Sequence, residues 1–199
     1  MSHYTSISEE RAARLNAALN RRQPTLSVVF ENVHDPHNVS AVIRSCDAVG
    51  VLEAHAVYHS GQTFPKLNDK SSASARKWVD IHRHDSVDAC FRQLRERGFR
   101  IFTTHMASDA VSLYDLELTQ PVALVFGNEH SGVTDQARSL ADGNFLIPQV
   151  GVVQSLNISV ACAVSLYEAF RQRRVAGMYE TPQIEGTTLD VLRRDWYSR

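Results

Sequence analysis

Apolar positions recur along this chain in two alternating periods. LSVVFEN (26–32) is short and β-branched, the pattern of a buried strand. Residues 38–49 follow at helical spacing, with Val39, Val42, Ile43, Cys46 and Val49 on one face and Gly50 as the stop. The exchange then repeats. Strands are predicted at 54–59, 78–82, 100–105, 121–129 and 144–148, and helices at 86–97, 134–141 and 155–175. Residues 60–77 read as a polar loop with one short helix. A helix over 6–22 opens the chain, with Ser6 and Glu9 at capping-box spacing. A terminal helix over 187–197 follows the Pro182–Gly186 linker. This alternation predicts an α/β fold, a parallel sheet with helices on both faces. Ligands in such sheets sit beyond the carboxyl ends of the strands.

The 199 residues suit one domain with small terminal additions and a core that needs no staple. No apolar run reaches membrane-spanning length, and the first residues lack the layout of a signal peptide. Cys46, Cys90 and Cys162 have no metal spacing and cannot all pair within one chain, so a cytoplasmic address is expected. A net charge of -1 does not advertise nucleic-acid binding. Distribution changes that picture. Of 21 basic residues only Lys66, Lys70 and Lys77 are lysines. Arginine forks suit phosphate oxygens. They cluster at Arg11, Arg14, Arg21 and Arg22, and again at Arg171, Arg173 and Arg174. A basic face on a neutral protein would produce this pattern, and so would arginine-rich solvated helices from a GC-rich genome.

Three clusters fall at predicted strand ends. In Asn38-Val-Ser-Ala-Val-Ile-Arg44, Asn38 is at or near a helix N-cap and Arg44 falls near the core-facing side. Such an arginine needs an anionic partner, a polar pocket or a route out to solvent. Neighbouring His34, Asp35 and His37 tempt a metal reading, but Asp35-Pro36 suits a turn, and no metal is expected. In LVFGNEHSGV (124–133) an apolar strand runs into a loop with two glycines and Glu129 between them. The glycines permit close approach to a ligand. This segment is neither a P-loop, since no Lys-Ser/Thr follows Gly132, nor a dinucleotide fingerprint. In IPQVGVVQSLNIS (147–159) a Pro/Gly loop leads into a very apolar helix, with Ser155 as a candidate N-cap. Asn157 and Ser159 compete with the backbone there.

Together and in this order, NVSAVIR, LVFGNEHSGV and IPQVGVVQSLNISVACAV resemble the three motifs of TrmH-type members of the SPOUT superfamily. These are S-adenosylmethionine-dependent RNA ribose 2'-O-methyltransferases. The resemblance covers roughly residues 9 to 197. It is strongest to the branch that methylates the tRNA D-arm guanosine at position 18. It implies a helical extension at 1–24, a SPOUT core at 25–178 with a deep C-terminal trefoil knot, and a helical tail at 179–199.

By the same resemblance, Thr104, Gly127, Ile147 and Leu156 line the S-adenosylmethionine pocket. Arg44 takes the central catalytic role, with Asn38, Glu129, Ser155 and Asn157 positioning it, the ribose and the knot loops. Arg11, Arg22, Arg171 and Arg173 would track the tRNA backbone, and the working unit would be a homodimer. Neither a metal nor a membrane is implied. The rivals are the same chemistry on ribosomal RNA or on the tRNA wobble position, and a non-catalytic RNA-binding module of this fold.

Overall fold

Two of the predicted strands become the buried middle of one sheet. In a computed structural model the residues described are 7–59, 61–66, 75–107, 110–153 and 155–199. Among them the strands are β1 (Leu26–Glu31), β2 (Glu53–Val57), β3 (Asp80–His84), β4 (Arg100–Thr104), β5 (Val111–Ser112), β6 (Val122–Phe126) and β7 (Gly143–Leu146). The α-helices are α1 (Glu9–Leu19), α2 (Pro36–Val49), α3 (Val87–Glu96), α4 (Asp135–Leu140), α5 (Ile158–Val175) and α6 (Gly186–Ser198). Strand order is β3-β2-β1-β6-β4-β7-β5, and every pairing is parallel. Every residue of β1 and β6 is buried, as sheet centres covered on both sides require.

Alternation along the strands sorts the core into two layers. Val28, Phe30, Ala54, Ala56, Leu124 and Phe126 face α2 and α5. Val29, Val57, Ile101, Ala123 and Val125 face α3 and α4. A smaller cluster joins the two ends of the chain, where Leu15 and Leu19 of α1 pack on Trp196 of α6. No helix among the described residues is long and apolar enough to cross a membrane.

Element identities agree with the periodicity; element starts do not. Ser6 lies outside the described residues, and Ser8 caps α1 by accepting from the Arg11 amide at 3.3 Å. Helix α2 begins at Pro36, capped by Asp35, so Asn38 is inside the first turn rather than at the cap. Proline's fixed φ favours that first helical position, so Asp35-Pro36 starts a helix instead of making a free-standing turn. Asn157, not Ser155, caps α5, accepting from the Ser159 amide at 2.8 Å. Gly50 ends α2 at φ 85°, where a Cβ would stand 2.6 Å from the Arg21 carbonyl. The two-residue β5 has no counterpart in the sequence reading, being too short to show a period.

Candidate functional site

Strands β4, β6 and β7 end side by side, and a cleft of about 800 Å³ opens beyond them. Thr104 ends β4 and Ile147 follows β7, and both line it. Gly127, immediately after β6, forms its floor with Asn128 and Glu129. Ser155, Leu156 and Asn157 close the far wall just before α5. All four expected cofactor residues, and three of the five expected catalytic ones, therefore share this cleft.

The loop after β6 is built by its own backbone. Asn128 and Gly132 exchange both amide–carbonyl hydrogen bonds at 2.9 Å. The Asn128 side chain accepts from the His130 and Ser131 amides and donates to the Asn32 carbonyl at 2.8 Å. A Cβ on Gly127 would lie 2.1 Å from the Gly132 carbonyl carbon, so only glycine lets the loop fold back this tightly. Beyond it, Thr134 caps α4 and is itself held by buried Glu31, whose carboxylate accepts from the Thr134 amide at 2.9 Å and hydroxyl at 2.7 Å.

One polar chain joins all three sequence clusters. Asn38, buried in the first turn of α2, donates to the Glu129 carboxylate at 2.9 Å and accepts from the Asn157 amide at 3.2 Å. Asn157 in turn accepts from the Ser159 hydroxyl at 2.6 Å. Glu129 is exposed and lines the cleft. Tyr58 lies nearby and donates to the Val33 carbonyl. Burial, with the Glu129 charge adding to it, pushes its phenol well above the usual range, so it stays neutral.

Arg44 departs from expectation. It is exposed, next to but outside the buried stripe of Val42, Ile43 and Cys46. It does not line the cleft. Six residues of helix, about 9 Å of rise, separate it from Asn38.

Two of the four arginines assigned to RNA are corrected by burial. Arg22 is 2% exposed, donates to the Val51 carbonyl at 3.0 Å, pairs with Asp47 and stacks 4.9 Å from the Trp196 ring centre. Arg173 is fully buried and donates to the Leu118, Thr25 and Gln120 carbonyls and to the side chains of Gln23 and Thr25. Burial lowers its pKa to about 10, still charged at neutral pH. Both guanidiniums are buried and hold the protein together, so neither is presented to a phosphate. Arg11 is exposed. Arg171 is exposed too, held by Glu168 through two hydrogen bonds of 2.8 Å. The sequence reading also missed His105 and Met106, which line the cleft mouth. Their signal was simple, being the next two residues after a strand end.

Residues 25–167 match the SpoU rRNA Methylase family. The tRNA (guanosine(18)-2'-O)-methyltransferase of Thermus thermophilus is 47% identical over 189 residues, which cover 95% of this chain and 96% of that protein. The crystal structure of the A. aeolicus TrmH/SpoU tRNA modifying enzyme superposes with a TM-score of 0.89 at 37% identity, covering 96% of each chain. The SpoU methyltransferase AviRb from Streptomyces viridochromogenes, solved in complex with the cofactor AdoMet, matches with a TM-score of 0.69 at 27% identity, covering 84% of this chain and 65% of that one.

Proposed function

The chain belongs to the SpoU methylase family, and from that membership we propose that it methylates the ribose 2'-hydroxyl of guanosine 18 in tRNA. The observation that carries the substrate is the near full-length identity to the Thermus guanosine-18 enzyme. The cleft supports the chemistry. S-adenosylmethionine supplies a sulfonium methyl, and the residues present fit it: Gly127 lets its loop fold tightly onto Gly132 at the cleft, and Ile147 and Leu156 give apolar walls. Thr104, Gly127, Ile147 and Leu156 hold the cofactor in this reading. The loops Gly127–Val133 and Pro148–Ser155 would be the walls of the trefoil knot that the resemblance implies.

The chain's own residues have two tasks, to orient the ribose and to steady the developing oxyanion, while the hydroxyl proton passes to water. Glu129 and Asn157, tied through Asn38, orient the hydroxyl, and Ser155 contributes from the same wall. Arg44 binds the adjacent phosphate and the oxyanion. Its role is electrostatic, since a guanidinium does not give up its proton in a protein. Arg44 stands outside its own chain's cleft, so a second copy supplies it in a homodimer. The exposed valines 150, 152 and 153 beside the cleft, with Val160 and Tyr167 on the outer face of α5, give that dimer an apolar seam. Arg11 and Arg171 remain as backbone contacts that place the tRNA without reading its sequence. Three unpaired cysteines suit the cytoplasm, where tRNA is processed.

The test is transfer of labelled methyl from S-adenosylmethionine to unmodified tRNA with the product nucleotide mapped. The expected product is 2'-O-methylguanosine at position 18. Methylation at another position overturns the substrate, and tight binding without transfer overturns the enzyme. Arg44→Lys should lose at least tenfold in turnover, because a point charge does not replace the fork. Near-normal turnover would remove Arg44 from the mechanism.

A further inference from the structure

We propose that His55, His84 and Cys90 form a binding site for a divalent transition-metal ion of the zinc class, at the β3 edge of the sheet. Within the sheet order, β3 is the edge strand opposite the β4–β7 end where the cleft lies. The site plays no part in the methyl transfer proposed above.

Strand register brings the ligands together. His55 is in the middle of β2 and pairs with His82 of β3, which leaves His84 as its diagonal neighbour on the same face. The His55 and His84 rings meet edge to edge, with centres 5.2 Å apart and Nδ1 of the first 2.9 Å from Nε2 of the second. Helix α3 covers this face and places Cys90 over the pair. The Cys90 sulfur and one ring nitrogen of each histidine all lie within 4.8 Å of one another. Both His55 and Cys90 are 0% exposed, while His84 is half-buried at the sheet edge and leaves an entry path.

One feature suits a cation. Two imidazole nitrogens 2.9 Å apart cannot both present lone pairs, so one proton must be shared between them. A cation in that proton's place satisfies both lone pairs, with the buried Cys90 sulfur as a third donor. Two imidazoles and a thiolate make a borderline-soft donor set that favours zinc-class ions over magnesium or calcium. Tetrahedral bonding spaces such nitrogens at roughly 3.3 Å and a sulfur at roughly 3.6 Å from each. The rings therefore part slightly and the sulfur closes in.

On binding, the Cys90 S–H bond breaks and its proton leaves to solvent as the sulfur–metal bond forms. The imidazoles bond through their lone pairs, and the proton between them moves to an outer ring nitrogen. A water takes the fourth position on the His84 side. Nearby carboxylates are already engaged: Glu53 by Arg97 at 2.6 Å, and Glu31 by Thr134 and His59. They add negative field without competing as ligands. The ion would pin the edge strand to α3, closing a part of the sheet that has no strand beyond it.

Cobalt is the probe. Chelator-treated full-length protein is titrated with Co²⁺ and followed by absorption. The expected result is one equivalent bound, with a thiolate-to-cobalt charge-transfer band and the visible bands of a tetrahedral ion. Zn²⁺ should displace the cobalt and raise the Tm of the wild-type protein. Cys90→Ser should abolish the charge-transfer band, and His84→Asn should weaken binding at least tenfold, while exposed His37→Asn should change neither. Absence of the band with excess Co²⁺ on the wild-type protein would overturn the site, independently of whether any variant folds. Persistence of the band in Cys90→Ser would overturn it equally.

Discussion

Replacing Arg173 with leucine separates a structural arginine from an RNA-binding one. The substitution keeps much of the volume but removes the guanidinium that donates to the Leu118 and Gln120 carbonyls and the Gln23 side chain, in a pocket where Arg173 is 0% exposed; the Thr25 carbonyl keeps the Val122 amide at 2.9 Å. Each buried acceptor left without a donor costs about 1–3 kcal/mol. Against that, the folded state no longer holds a desolvated guanidinium, whose burial already lowers its pKa to about 10. The net loss should be about 4 kcal/mol, near the range for breaking a buried charged network. For a chain of 199 residues that corresponds to a fall in Tm of roughly 8–16 °C. Calorimetry measures the fall. Filter binding of tRNA across a salt series, done well below the new Tm, measures the contact to RNA. The folded variant should bind with the wild-type salt slope, because no phosphate contact has been removed. An unchanged Tm with a slope shallower by about one would refute the burial argument and return Arg173 to the RNA face.

Three further outcomes follow from the geometry. Gly127→Ala places a Cβ 2.1 Å from the Gly132 carbonyl carbon, so the loop must open; S-adenosylmethionine binding by calorimetry should fall at least a hundredfold while the Tm drops only slightly. Asn38→Asp replaces the amide that donates to Glu129 at 2.9 Å with a second carboxylate; methyl transfer should fall by about two orders of magnitude, and Asn38→Ala should be no worse, since it adds no like charge. Trp196→Ala empties the site where α6 meets Leu15 and Leu19 of α1, at a cost of about 3–5 kcal/mol. Limited proteolysis should then cut near the two ends of the chain before the sheet, and simultaneous loss of all structure would contradict a separate terminal cluster.

How far the sequence could be read depends on which force places each residue. Apolar periodicity is local, so β1 and β6 and the apolar face of α2 were legible from a few neighbouring positions. Helix starts were less so, because several side chains in a row can cap. Asp35 and Asn157 won over Asn38 and Ser155 once Pro36 and the α5 packing had set the first turn. The loops around Gly127 and Leu156 were visible as chemically odd segments at strand ends. Their joining through Asn38 was not, since those hydrogen bonds span 91 and 119 residues of sequence.

Arg22 and Arg173 show the same limit from the other side. A charge is read as exposed because burial is costly unless partners are found, and here the partners are distant: Val51 and Asp47 for Arg22, Leu118 and Gln120 for Arg173. The cluster of His55, His84 and Cys90 has a related origin. Nothing in its spacing resembles a metal motif, because two ligands come from neighbouring strands and the third from the helix above them. Apolar residues thus report their place through their own period. Polar ones report it only through partners that folding supplies, which is why the polar network, the buried arginines and the histidine–cysteine cluster had to be found in three dimensions.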